Sequence, residues 1–143
     1  GAGRSVVGRG GDAGAAELAQ GEALCGGGGE AGRGDEGRMD AVTAVSGSGP
    51  AYVFRFAGAL MAGAEELGLG GDVAARLVVQ TIVGAAAMLQ TGEQASVLRE
   101  RVTSPGGTTA AALAVFAEYD FMGMIGAALR AARDRGVELG QGK

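Results

Sequence analysis

Histidine and tryptophan are missing from this 143-residue chain, lysine occurs only as Lys143 at its end, and Cys25 is the single cysteine. Without an imidazole there is no histidine base, no Ser-His-Asp triad and none of the usual zinc sites, so no metal centre is expected. A lysine at the last position does not suit a buried Schiff base. One cysteine can neither close an internal disulfide nor build a thiolate cluster, which fits a reducing, cytoplasmic setting. Aromatic residues supply only 4% of the chain while apolar residues reach 47%, so its core is built of Ala, Val and Leu, a composition suited to close helix-to-helix contact. Net charge is −4 and the basic residues are scattered, which argues against a nucleic-acid footprint. The longest apolar run, Val73 to Leu89, is interrupted by Arg76 and Gln80, so no membrane span is expected. The chain opens on glycine with no basic and apolar leader pattern behind it, and is expected to be a piece of something longer.

What is left for chemistry is hydroxyls, backbone amides, carboxylates, arginines or a bound cofactor. One stretch joins the first two: Thr103-Ser104-Pro105-Gly106-Gly107-Thr108-Thr109, set between a charged helical segment ending near Val102 and an Ala-rich one from Ala110 to Ala117. A loop feeding a helix N-terminus attracts anions, because the first amides have no intrahelical partner and the helix dipole adds positive charge there. Two glycines let a ligand approach the backbone, and three hydroxyls surround the point. The same spacing also reads as turn punctuation followed by an N-cap threonine.

Fourteen of the 30 glycines fall in the first 37 residues, a density that raises the entropy lost on ordering and offers little side chain to bury. Residues 1–38 are therefore expected to be poorly ordered, with at most a short helix from Asp12 to Leu24. Their Gly-x-Gly pieces follow no recognisable strand and do not make a dinucleotide fingerprint. From Met39 to the end, residues 39–143, the texture is helical. Asp40 can cap a short helix through Val45 that Ser46-Gly47-Ser48-Gly49-Pro50 breaks; a second helix follows from Ala51 to Leu67, apolar nearly all round. Asp72 can cap a third to Gln90, with Leu77, Val78, Thr81, Ile82, Ala85 and Leu89 on one face. A short one from Gln94 to Val102 turns Val97, Leu98 and Val102 inward. After the focal loop come Ala110 to Tyr119 and, capped by Asp120, a long helix to about Leu139. No segment shows period-two alternation. The fold class is all-α, a bundle of about five helices, and helices this apolar imply an interleaved dimer, since one small bundle cannot hide them.

The only two prolines each open a helix after a Ser/Gly-rich break, in Ser46-Gly47-Ser48-Gly49-Pro50-Ala51-Tyr52 and in Thr103-Ser104-Pro105-Gly106-Gly107-Thr108-Thr109. This pair, in this order, with the run Glu36 to Ala44 upstream, resembles the C-terminal half of pyrroline-5-carboxylate reductase, the last enzyme of proline biosynthesis, over Glu36 to about Leu139. The resemblance implies a helical dimerisation and substrate domain, a homodimer or higher oligomer. It also implies an NADP- or NAD-binding Rossmann half that this chain lacks. Residues 1–35 correspond at best to the closing strand-helix-strand of that half, in a form that could hardly complete a sheet. Thr109 is implied as the catalytic hydroxyl at the substrate's ring nitrogen. Ser104, Gly106, Gly107 and Thr108 are implied as the carboxylate site. Ser46, Gly47, Ser48, Gly49 and Pro50 form a second candidate motif, for which a packing role with Tyr52 as anchor is preferred. The alternative from another class is a helical interaction module without chemistry.

Overall fold

The computed structural model describes residues 3–8, 29–34 and 38–142. The expected helix from Asp12 to Leu24 lies outside them. Two strands, β1 (Gly3–Gly8) and β2 (Gly29–Gly34), pair in parallel, with Gly3 opposite Gly29 and Val6 opposite Gly32. The glycine-rich start, expected to be poorly ordered and hardly able to complete a sheet, thus supplies two paired strands. Parallel ladders are made by the backbone alone, so strands poor in β-branched residues can still pair, although no side-chain alternation announces them.

The helical part follows as α1 (Met39–Val42), a π-helical turn (Thr43–Gly47), α2 (Gly49–Glu66), α3 (Gly71–Leu89), α4 (Ala95–Arg101), α5 (Thr108–Glu118) and α6 (Phe121–Gly140). Five of these helices run for seven residues or more, in line with the expected five. Two compact units result, one from residues 1–50 with 125–143 and the other from residues 51–124. In the first, α1 packs on β1. In the second, α3 packs on α4.

Several local readings need correction. The segment Ser46 to Pro50 does not simply break the helical path: the Ser48 amide donates to the Thr43 carbonyl at 2.9 Å, a wide i→i−5 turn, and the Ser46 hydroxyl donates to the Val42 carbonyl at 2.9 Å. Back-bonding by serine and the absence of bulky side chains at 46–49 make this widening tolerable, and Pro50, in the first turn of α2, needs no donor. Neither Asp40 nor Asp72 caps its helix; the N-caps are Arg38 and Gly70, with each aspartate in the first turn. There the carboxylates still complement the helix dipole. Asp120 does cap α6, accepting from the Gly123 amide at 3.1 Å. It is the one non-glycine residue with left-handed backbone among the described residues, at φ 48°, and α5 and α6 bend by 53° across it.

Little of the apolar surface is covered within one copy. Among the described residues the buried apolar side chains are Ala44, Ala74, Val78 and Leu98, while twenty-one large apolar ones are exposed. On α2, expected to be covered on more than one side, Phe54 is 72% exposed and Val53 47%. On α3 the buried residues are Ala74 and Val78; of the expected face Val78 is buried, whereas Leu77 and Leu89 are exposed. Leu98 of α4 is buried as expected, but Val102 is exposed. On α6, Met124 and Ile125 are exposed and Leu129 is half-buried. The 19-residue α3 also has the length and mean hydropathy, 1.5, of a membrane span, with 11% of that window buried.

The Asp120 cap is open to test. Asp120→Ala removes the capping oxygen and places a residue less tolerant of positive φ at the bend, an expected loss of about 1–2 kcal/mol. Asp120→Asn should keep most of it. Midpoints of urea unfolding for the two variants check the order.

Candidate functional site

The focal loop is built by one turn. The Thr103 hydroxyl bonds back to the Arg99 carbonyl at 2.7 Å and closes the end of α4. Ser104 then opens a β-turn whose Gly107 amide donates to the Ser104 carbonyl at 3.0 Å. Pro105 stands at the second position, where its fixed φ is already correct, and Gly106 at the third has φ 70°. That is the pattern of a type II turn, which needs positive φ at its third residue. Gly107 is the N-cap of α5 with extended backbone, φ −81° and ψ 175°. A Cβ there would strike the Ser104 hydroxyl, which would have to turn away, and lie 3.2 Å from the Ser104 carbonyl, so glycine lets the chain return closely here.

The first backbone bond of α5 runs from the Ala111 amide to the Gly107 carbonyl at 3.2 Å. The amides of Thr108, Thr109 and Ala110 therefore find no backbone acceptor among the described residues, as the geometry of a helix start demands. No side chain caps them either. This overturns the reading of the loop as turn plus N-cap threonine: the cap is Gly107, and both threonines fall inside the first turn. Thr109 is half-buried while Ser104 and Thr108 are exposed. Three unpaired amides and three hydroxyl-bearing residues, Ser104, Thr108 and Thr109, thus lie at one helix entrance.

All five residues of the expected site lie together within the second unit, Ser104, Gly106 and Gly107 in the turn and Thr108 and Thr109 in the first turn of α5. The candidate motif Ser46-Gly47-Ser48-Gly49-Pro50 belongs to the first unit, where it forms the π turn and the start of α2. Sequence reading missed a concavity of about 850 Å³ in the second unit, whose lining includes Phe56, Arg99, Thr103, Ala110 and Phe116. It meets the focal loop at Thr103 and Ala110. Phe116 and Phe121 stack at 5.2 Å on one side of it. Its aromatic residues come from three helices, so no spacing along the chain could have grouped them. No cluster of three His, Cys, Asp or Glu side chains occurs among the described residues. The Arg101–Glu93 pair, at 2.5 Å, spans the short α4 just before the loop and is largely solvated, so its contribution is small.

A family profile described as pyrroline-5-carboxylate reductase dimerisation matches residues 36–139. The chain belongs to the pyrroline-5-carboxylate reductase family. The matched span coincides with the one on which the resemblance was drawn. The reductase of Pseudomonas aeruginosa is 48% identical over 108 residues, covering 75% of this chain and 40% of that protein. The Arabidopsis thaliana reductase is 42% identical over 119 residues, 82% of this chain and 43% of that one. A solved Coxiella burnetii pyrroline-5-carboxylate reductase superposes with TM-score 0.89 at 36% identity, over 96% of this chain and 52% of that one. A Plasmodium falciparum pyrroline carboxylate reductase solved with NADP bound gives TM-score 0.81 at 29% identity, over 88% and 48%. The chain spans about half the length of the relatives it matches.

Gly106 carries the turn. Gly106→Ala forces a Cβ into the left-handed region and is expected to cost about 1 kcal/mol of stability, read by urea unfolding.

Proposed function

We propose that this chain is the dimerising and substrate-binding half of an NAD(P)H-dependent reductase that converts 1-pyrroline-5-carboxylate to L-proline, with residues 39–143 forming that domain. The observation that carries the reading is the unpartnered helix entrance at Thr108–Ala110 flanked by Ser104 and Thr109, inside a span matched to the reductase family. The substrate's carboxylate is an anion of the size this entrance accepts. Amides of the first turn and the Ser104 hydroxyl hold it, and Gly107 lets it come close to the backbone. The Thr109 hydroxyl then lies at the ring nitrogen and donates a hydrogen bond to it. As the C=N bond is reduced, the nitrogen gains basicity and a proton, so a fixed donor stabilises the developing amine without an imidazole.

NAD(P)H, when bound, supplies the hydride for the C=N carbon. The donor set of this loop fits one carboxylate rather than a dinucleotide, so the nucleotide falls to a Rossmann half outside the matched span. In this reading Ser46-Gly47-Ser48-Gly49-Pro50 keep a packing role. The exposed helices supply the second part of the function. Apolar surface of this extent needs covering by protein or by lipid, and membership of a dimerisation family favours a second copy, a homodimer in the cytoplasm. The same observation also supports a second reading, a dimerisation module without chemistry.

The two readings separate in solution. L-Proline titrated into the labelled chain is expected to shift amide resonances of residues 104–110 at millimolar concentration, and silence there in a folded sample would leave only the module. Joined to a nucleotide-binding half, Thr109→Val should lower kcat by about 10²-fold with little change in fold. Sedimentation is expected to give a dimer at micromolar concentration; a stable, folded monomer would remove the self-association.

A further inference from the structure

Four residues of the segment 103–109 carry a hydroxyl, and they divide in use. The Thr103 hydroxyl is committed, donating to the Arg99 carbonyl at 2.7 Å. Those of Ser104, Thr108 and Thr109 make no hydrogen bond among the described residues. The Thr103 amide donates as well, to the Glu100 carbonyl at 3.0 Å, so this one residue is tied twice to the end of α4. Thr103 is half-buried, whereas Ser104, Pro105 and Gly106 after it are exposed.

Little else holds the turn in place. It is closed by the single backbone bond from Gly107 to Ser104, and the Thr103 hydroxyl makes the one side-chain hydrogen bond of residues 103–109 among the described residues. Proline and glycine set the shape of the turn internally, but not the direction in which it leaves α4. That direction decides where the Ser104 hydroxyl lies, which is over Gly107, in the space a Cβ there would need, at the start of α5. The comparable bond from Thr81 to the Leu77 carbonyl directs nothing, because α3 continues on both sides of it. At Thr103 the chain has just left α4, so the bond sets a heading.

We infer that Thr103 is a positioning residue for the helix entrance at α5: its bond to Arg99 fixes the take-off of the loop and so holds the Ser104 hydroxyl over that entrance. Thr103 acts through Ser104 and does not itself touch the ligand. The inference rests on the function proposed above for the identity of that ligand, a small ring carboxylate.

L-Proline is titrated into the labelled full chain and its variants, with the amides of residues 104–110 as reporters. Thr103→Val keeps the branched shape and removes the donor, and its dissociation constant is expected to rise about fivefold, the usual worth of one such bond. Thr103→Ser restores the donor and should return to within about twofold of the unvaried chain. A role confined to stability would lower the urea midpoint of Thr103→Val yet leave the affinity of its folded molecules alone. A double-mutant cycle with Ser104→Ala names the route: in that background Thr103→Val should cost no further affinity, because the group it positions is gone.

Unchanged affinity in folded Thr103→Val overturns the inference. So do additive losses from Thr103→Val and Ser104→Ala, or a loss that Thr103→Ser does not rescue. If Thr103→Val does not fold, Thr103→Ala decides in the same way, and failure of both to fold makes the hydroxyl part of the fold rather than of the site. Silence of the unvaried chain toward L-proline sinks the proposed function and this inference with it, whereas binding that ignores Thr103 leaves the proposed function standing.

Discussion

Helices that are apolar around most of their circumference persist in water only when something covers them, and this chain covers few of its own. Among the described residues the buried side chains are Ala44, Ala74, Val78 and Leu98, two of them alanines. Covering a Leu or Phe contributes roughly 1.5–3 kcal/mol, while an isolated helix of the length of α2 or α6 is marginal on propensity alone. Phe54, Leu67, Leu77 and Met122 therefore represent stabilisation that has to come from contacts beyond the chain's own. Abundant alanine and glycine suit that arrangement, because small side chains let backbones of neighbouring helices come close.

The same economy explains where chemistry can reside. A chain of long helices has few irregular points, and its reactive repertoire, without histidine or internal lysine, comes down to hydroxyls, backbone dipoles, carboxylates and arginines. The type II turn of Ser104 to Gly107 concentrates the first two. Proline and a positive-φ glycine set the turn, a second glycine lets Ser104 fold over the helix start, and the first three amides of α5 remain available. Each residue of the loop has a local reason to be there, and together they leave an electropositive entrance. Structure and site coincide because the groups a helix cannot satisfy internally are the ones a ligand can use.

Much of this was legible along the chain. Helix periodicity and the Gly/Pro stops placed the five longer helices, the Asp120 cap is read from one aspartate before an apolar run, and the paired Ser/Gly-Pro motifs marked the family. The failures share a cause. Asp72 looked like a cap, yet helix α3 begins one residue earlier at Gly71, with Gly70 adopting the extended backbone that the cap requires. Ser46 to Pro50 looked like a break, yet serine back-bonding and a wide turn carry the helical path through. The concavity beside the loop gathers Phe56, Phe116 and Phe121 from separate helices, which no periodicity records.

The sequence by itself determined the helices, their punctuation, the loop that feeds α5 and the absence of imidazole chemistry, because these depend on residues within a few positions of one another. Tertiary structure alone decided that Gly3–Gly8 pairs with Gly29–Gly34, that Ala74 is packed while Leu77 and Leu89 are not, and that Gly107 rather than a threonine caps α5. Strand pairing and burial are set by partners distant in the chain, and the cap was decided by how closely Ser104 returns over the helix start. An amphipathic or all-apolar pattern states that a helix must be covered; only the arrangement in space says by what.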